Sequence, residues 1–225
     1  MKNKKKRVRE ITDYIKFVFP MLVLYILFFI FPLFQTIGYS FTDYNGINPR
    51  KEFTGLTNYV DVFQDKWFYN SMLFTGKSVI LMILLANVLG FLLALALNTK
   101  IKSRNILRAI VFCPFVFNNV TVGFIWQFLL GRFMTDLYPL TGWKVFNIGW
   151  LSDSSLVLYS VVFVKLWQSI GYFMVIYLAG LQLLPQDPLE AAVLDGCTGI
   201  KMIRYITIPL MKPTAFVCIF LAITE

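Results

Sequence analysis

Not one of the 225 residues is histidine. That absence removes imidazole general bases, Ser-His and Cys-His nucleophilic pairs, and His-ligated zinc. Charge is sparse as well: Asp, Glu, Lys and Arg together make up 15% of the chain. The long apolar stretches hold no Asp or Glu apart from Glu225 at the end of the sequence. Three cysteines, Cys113, Cys197 and Cys218, lie far apart without CxxC spacing. Neither a disulfide framework nor a thiolate metal site is indicated, and all three read as small packing residues. No repeat or low-complexity tract organises the sequence.

What is abundant is hydrocarbon. Hydrophobic residues make up 58% of the chain and its mean hydropathy is +0.68, too apolar for an ordinary soluble domain. The reading is an all-α, polytopic membrane protein. The net charge of +9 raises nucleic acid as a partner, but the basic residues are split between short segments and stripe no single face. The positive-inside rule accounts for them without nucleic acid.

Lys2, Lys4, Lys5, Lys6, Arg7 and Arg9 precede a first apolar stretch over about 17 to 40. It is too long for a signal-peptide core, which runs roughly 7 to 15 residues, and long enough to span a bilayer. Further spans are predicted over about 71 to 98, 107 to 131 and 156 to 183, with a fifth beginning near 210. Because a span needs roughly 20 residues, the chain reads as ending inside that fifth helix. Segment 99 to 108 carries Lys100, Lys102, Arg104 and Arg108 with no acid, whereas segments 41 to 70 and 132 to 155 balance bases with acids. The alternation puts 1 to 16, 99 to 108 and 184 to 209 in the cytoplasm. The organisation predicted is a basic cytoplasmic N-terminus, 1 to 16, and a transmembrane domain, 17 to 225. Asn58 to Asn70 is expected to form a short interfacial helix, and Ala86, Gly90 and Ala94 give a small-residue stripe for close helix packing.

Gly76-Lys77-Ser78 imitates the end of a P-loop, but position 71 is Ser where glycine is required and no strand precedes it. Lys165 is more informative. It lies about ten residues into a span, where an ionisable group is costly unless it faces water or a partner. At helical spacing it shares a face with Gln168, Ser169 and Tyr172, while Asn118, Asn119, Thr121, Trp126 and Gln127 add polar and aromatic groups to the preceding span. Amides beside aromatic faces suit a hydroxylated solute such as a sugar; interhelical hydrogen bonding with nothing bound is the alternative.

The segment 184 to 209 is charged and lies between apolar stretches. Asp187, Pro188 and Glu190 read as N-cap, first helical position and capping-box partner. Gly196 is a helix terminator suited to the left-handed conformation. A second short helix is expected from about Gly199 to the prolines Pro209 and Pro213, and Ala191 and Ala192 leave the first helix nearly flat. A flat helix of this kind fits a groove in another protein; a plain cytoplasmic loop is the competing reading.

The run Glu190-Ala191-Ala192-x-x-Asp195-Gly196, followed by Ile206-x-Ile208-Pro209-x-x-x-Pro213, resembles the EAA loop of permease subunits in binding-protein-dependent ABC importers. Cys197, Ile203 and Ile208 depart from the common pattern but stay small or apolar. The likeness extends through Phe31-Pro32, Tyr39-Ser40-Phe41-Thr42-Asp43-Tyr44, Phe53-x-Gly55-Leu56-x-Asn58-Tyr59, Leu93 to Asn98, Ile125-Trp126 and Tyr177 to Gln182 before Pro185. Together these resemble the carbohydrate-uptake branch, and the first of its two permeases. The resemblance implies no enzymatic activity and no cofactor. It implies six core transmembrane helices, a second permease subunit, a cytoplasmic ABC ATPase dimer, an extracellular solute-binding protein and a sugar substrate in a cell membrane. Glu190, Ala191, Ala192, Asp195, Gly196 and Pro209 would serve ATPase coupling, with Asp195 fixing the turn; Lys165, Gln168, Tyr172, Asn119 and Trp126 would line the substrate path. A secondary transporter, which would need coupling-ion groups, and a membrane-embedded enzyme are the alternatives.

Overall fold

The computed structural model describes residues 15–47, 51–99 and 102–224. The basic cluster Lys2 to Arg9 lies outside them, as do Lys100 and Glu225. Among the described residues the structure is helical, with one isolated antiparallel bridge, Thr42 to Phe53. The chain falls into two units, Met1–Ser71 and Met72–Glu225.

In the first unit, α1 runs Ile15–Ser40 with a mean hydropathy of 2.6. It widens into a π turn over Ile26–Ile30, directly before Phe31-Pro32. Pro32 lacks an N–H and its ring crowds the carbonyl four residues back, so a locally wider turn keeps the helix continuous. Past α1, the Asn58 side chain donates to the Ser40 carbonyl at 2.9 Å and the Thr42 carbonyl at 2.8 Å. Ser40 Oγ lies 2.7 Å from the Tyr59 hydroxyl. The two motifs around 39 to 44 and 53 to 59 therefore close one loop. Helix α2, Thr57–Gln64, is the short helix expected there, but it stops before Asn70. Asp65 is extended, and its Oδ1 accepts from Trp67 N at 2.8 Å, starting a new helix with an Asx turn.

That new helix, α3, runs Lys66–Leu97 and carries the chain into the second unit. Its buried residues are Met82, Ala86, Gly90, Ala94 and Leu97, the predicted small-residue stripe extended at both ends. A β-carbon on Gly90 would sit 2.9 Å from Phe173 Cβ, so the stripe is what admits its neighbour. That neighbour is α6, Val157–Gln182, the second unit's hub: half of its most apolar window is buried, against 22% for α3. Phe173, Met174, Tyr177, Leu178 and Leu181 of α6 form the core with the α3 stripe, Met211, Cys218 and Ala222. Tyr177 donates its hydroxyl hydrogen to Asn87 Oδ1 at 2.6 Å, pairing two polar groups that would be costly alone in hydrocarbon. Of the three cysteines only Cys218 is packed in this way; Cys113 is exposed and Cys197 half-buried.

The span expected over 107 to 131 is not one helix. Helix α4, Arg104–Val116, ends in a 3-10 turn from Cys113 and meets α5, Asn119–Thr141, at a bend of 92°. Pro114 supplies no N–H to the last turn, Phe117 and Asn118 are extended, and Asn118 Oδ1 accepts from Val120 N at 2.8 Å to cap α5. Helix α5 continues into the segment expected as a loop, 132 to 155.

Beyond α6 come α7, Gln186–Leu194, α8, Ile200–Leu210, and, after a 69° bend, α9, Lys212–Thr224. A π turn over Ile203–Thr207 precedes Pro209, as one precedes Pro32 in α1. Three helices among the described residues, α1, α3 and α6, are long and apolar enough to cross a membrane, and the number rises to five if each bent pair counts as one span.

Candidate functional site

Two features of the second unit stand out: the α7–α8 hairpin and a polar cavity at the α4–α5 break. In the hairpin, α7 starts one residue earlier than its sequence signal implies. Pro185 occupies the N-cap position in an extended conformation and Asp187 lies inside the first turn, so Asp187 is not the cap; no side chain caps this helix and Glu190 closes no capping box. Pro185 fixes an extended entry, and Asp187 still complements the positive helix start.

The far end of α7 closes as a Schellman motif. Cys197 N donates to the Ala192 carbonyl at 2.8 Å and Gly196 N to the Val193 carbonyl at 3.0 Å, with Gly196 at φ +75°. The turn is thus made by the backbone; among the described residues none donates to the Asp195 carboxylate. Ala191 and Ala192 do not share a free face, because neighbours on a helix point about 100° apart. Ala192 is buried, where α7 packs on the Ile203–Thr207 turn of α8, and Ala191 is exposed with Glu190, Asp195, Gly196 and Pro209. Two large apolar side chains are bare on either side of the hairpin's tip: Leu194 is 88% and Ile200 82% exposed.

The cavity, of about 500 Å³, is lined by Phe115, Phe117, Asn118, Asn119, Lys165, Gln168, Ser169 and Thr224. The break between α4 and α5 creates it. Interrupting a helix frees backbone carbonyls, and Gln168, only 6% exposed, answers one: its Nε2 donates to the Phe117 carbonyl at 3.1 Å and to Asn119 Oδ1 at 2.8 Å. Asn119, Lys165 and Gln168 also line an adjoining cavity of about 320 Å³ that reaches Trp126, Gln127 and Ser160. Trp126 is fixed edge-on by Phe163 and Trp167, with ring centroids 5.3 and 5.4 Å away, and its buried indole Nε1 is without a hydrogen-bond partner.

The structure thus brings Lys165, Gln168, Asn119 and Trp126 to connected space. Tyr172 lines neither cavity. It stacks flat on Phe115, centroids 4.6 Å apart at 5°, and so supports the cavity's aromatic wall. Phe115, Phe117 and Thr224 are lining residues that the sequence did not single out. Pro114 followed four residues later by the cap-forming Asn118 was the legible sign of the break that exposes the first two. Among the described residues no cluster of His, Cys, Asp or Glu could hold a metal.

Apolar helices of spanning length, a bent helix pair, an amide-lined cavity and an exposed helical hairpin fit an integral membrane component. Residues 86–225 match the family described as binding-protein-dependent transport system inner membrane component. The chain is 34% identical over its whole length to 76% of a probable starch degradation products transport system permease protein, AmyD, of Thermoanaerobacterium thermosulfurigenes. It is 30% identical, over 91% of its length and 70% of the relative, to the trehalose/maltose transport system permease protein MalF of Thermococcus litoralis. In fold it is similar to the crystal structure of a bacterial ABC transporter that imports the acidic polysaccharide alginate, with a TM-score of 0.78, 21% identity, and coverage of 99% of this chain and 75% of that one. The chain belongs to the family of inner-membrane components of binding-protein-dependent transport systems. It is a membrane-embedded ABC-importer permease subunit, not an enzyme.

Proposed function

We propose that this chain forms half of a sugar translocation pathway, beside a second permease subunit. Its N-terminus is cytoplasmic, an extracellular solute-binding protein supplies the sugar, and a cytoplasmic ABC ATPase dimer drives the cycle through the α7–α8 hairpin. Relatives named for starch degradation products and for trehalose and maltose support the solute class.

The exposure of Leu194 and Ile200 at the hairpin tip, at 88% and 82%, carries the coupling assignment. Two large apolar side chains left bare beside a rigid turn mark a partner surface. Glu190, Ala191, Asp195 and Gly196 present the remainder of that surface, Ala192 locks α7 to α8 beneath it, and Pro209 sets the stiff junction through which hairpin motion reaches α9. The ATPases would close on the hairpin, tilt α8 and α9 together, and shift the helices around the cavity. Lys165, Gln168, Asn119 and Trp126 meet the solute there, and Tyr172 acts through Phe115.

The test is Gly196→Trp in the full-length protein within the assembled transporter. Tryptophan would be forced to the left-handed backbone and would cover the tip. Solute-stimulated ATP hydrolysis and uptake should fall at least about 10-fold, equivalent to ~1.4 kcal/mol of coupling. Unchanged stimulation, or protease mapping that places Glu190 to Gly196 on the outer cell surface, refutes the coupling role.

A further inference from the structure

The relatives' names leave open what charge the solute carries, and the cavity bears on it. Lys165 is the one charged side chain among the residues lining either cavity. It lies about 12 Å along α6 from Val157, at 1.5 Å per residue, more than two turns into a helix of spanning length. None of the described Asp or Glu residues forms an ion pair with it: the ion pair in this unit, Arg132 with Asp136, lies on the exposed surface of α5. A cation there is costly unless water or a negative group meets it, and in the cavity an anionic solute would replace that water.

The rest of the lining adds donors. Asn118 and Asn119 stand at the N-terminal end of α5, whose helix dipole places partial positive charge toward the same space. With the Asn119 carbonyl oxygen taken up by Gln168, its Nδ2 donor is left for the cavity. Neutral hydroxyl groups could be held by amides alone, without the cost of a half-buried ammonium. We infer that the cavity selects saccharides carrying a carboxylate or phosphate group, with Lys165 as the counter-ion and the Asn118 and Asn119 amides as flanking donors. This rests on the proposal that the cavity lies on the solute's path.

The experiment titrates the assembled full-length transporter, with its partner permease and ATPases, with maltotriose, trigalacturonate and trehalose 6-phosphate by calorimetry. At least one anionic probe should bind about 10-fold or more tightly than maltotriose, as a charge-assisted hydrogen bond implies. The tighter of the two tells carboxylate from phosphate. Lys165→Gln should bring the anionic-to-neutral ratio to about one, and Lys165→Arg should keep it, which separates lost charge from lost folding. Equal affinities in the unaltered protein, or a preference that persists in Lys165→Gln, would overturn the inference. So would an anionic preference that emerges only in Glu225→Gln, since the chain would then supply its own carboxylate. If Gln168→Leu alters maltotriose affinity while no anionic preference exists, the pathway reading stands and the charge inference alone falls. If no probe responds to either Lys165→Gln or Gln168→Leu, both fall.

Discussion

Replacing Gly171 by alanine adds one methyl group at the crossing of α4 and α6. That β-carbon would overlap the Val111 carbonyl oxygen and lie 2.6 Å from Phe112 Cα and 2.7 Å from the Val111 carbonyl carbon. Carbon atoms rest comfortably at about 3.5–4.0 Å, so the two backbones must part by about 1 Å. A gap of that size forfeits a quarter to a half of each dispersion contact across the seam, including the flat Phe115–Tyr172 stack. Overpacking of this kind costs about 1–3 kcal/mol, against which alanine's better helix propensity returns up to about 1 kcal/mol. The net expectation is a loss of about 0–2 kcal/mol.

Two other helix-interior glycines serve as controls with the same propensity gain. Gly76 has nothing within 4 Å of its would-be β-carbon; Gly180 would meet side chains and no backbone, the mobile Met211 Cε at 2.9 Å and both branches of the stiffer Thr214, Oγ1 at 2.5 Å and Cγ2 at 2.9 Å. The expected order of thermal stability is Gly76→Ala first, Gly180→Ala second and Gly171→Ala last. The outer two should differ by roughly 2 kcal/mol, or about 4–8 °C in the melting of the solubilised transporter. If Gly171→Ala melts at or above Gly76→Ala, the backbone-contact reasoning is wrong.

The remaining predictions concern the helix break and the loop before α6. Gln168→Leu leaves the Phe117 carbonyl without its donor and should destabilise the protein by about 0.5–2 kcal/mol, seen as a lower Tm and faster hydrogen exchange at the start of α5. Asp153 Oδ1 accepts from Ser155 Oγ at 2.6 Å and Ser155 N at 2.8 Å, bonds that hold its carboxyl below the ordinary value of 3.8. A lowered carboxyl stabilises the folded turn fully above 3.8, and that contribution is lost as the pH falls through the folded-state value. Ser155→Ala removes the larger cause, so the Asp153 titration followed by carboxyl NMR should move upward; an unmoved midpoint would show that Ser155 does not set it.

Much of this architecture follows from local rules. Apolar runs of spanning length specify α1, α3 and α6, because in a bilayer only a helix satisfies its own backbone. The Ala86-Gly90-Ala94 stripe announced a close helix contact, since small residues at every fourth position leave room for nothing larger. Gly196 announced the Schellman turn, because few other residues adopt φ > 0 without strain. Pro114 and Asn118 held the break between α4 and α5 in plain view, but continuous hydrophobicity over 107 to 131 masked it: hydropathy measures solvent preference and not helix continuity.

Tertiary structure decided the rest. Lys165 and Gln168 share a helical face by spacing alone, yet only packing shows that Gln168 meets a carbonyl 51 positions earlier and that Tyr172 turns aside to stack on Phe115. It likewise buries Ala192 and bares Ala191 and Leu194, because which side of α7 faces inward depends on where α8 lies. Sequence periodicity fixes which residues stand together on one helix. The neighbour each face meets is set by contacts between residues far apart in the chain, and the cavity exists only where those contacts leave space.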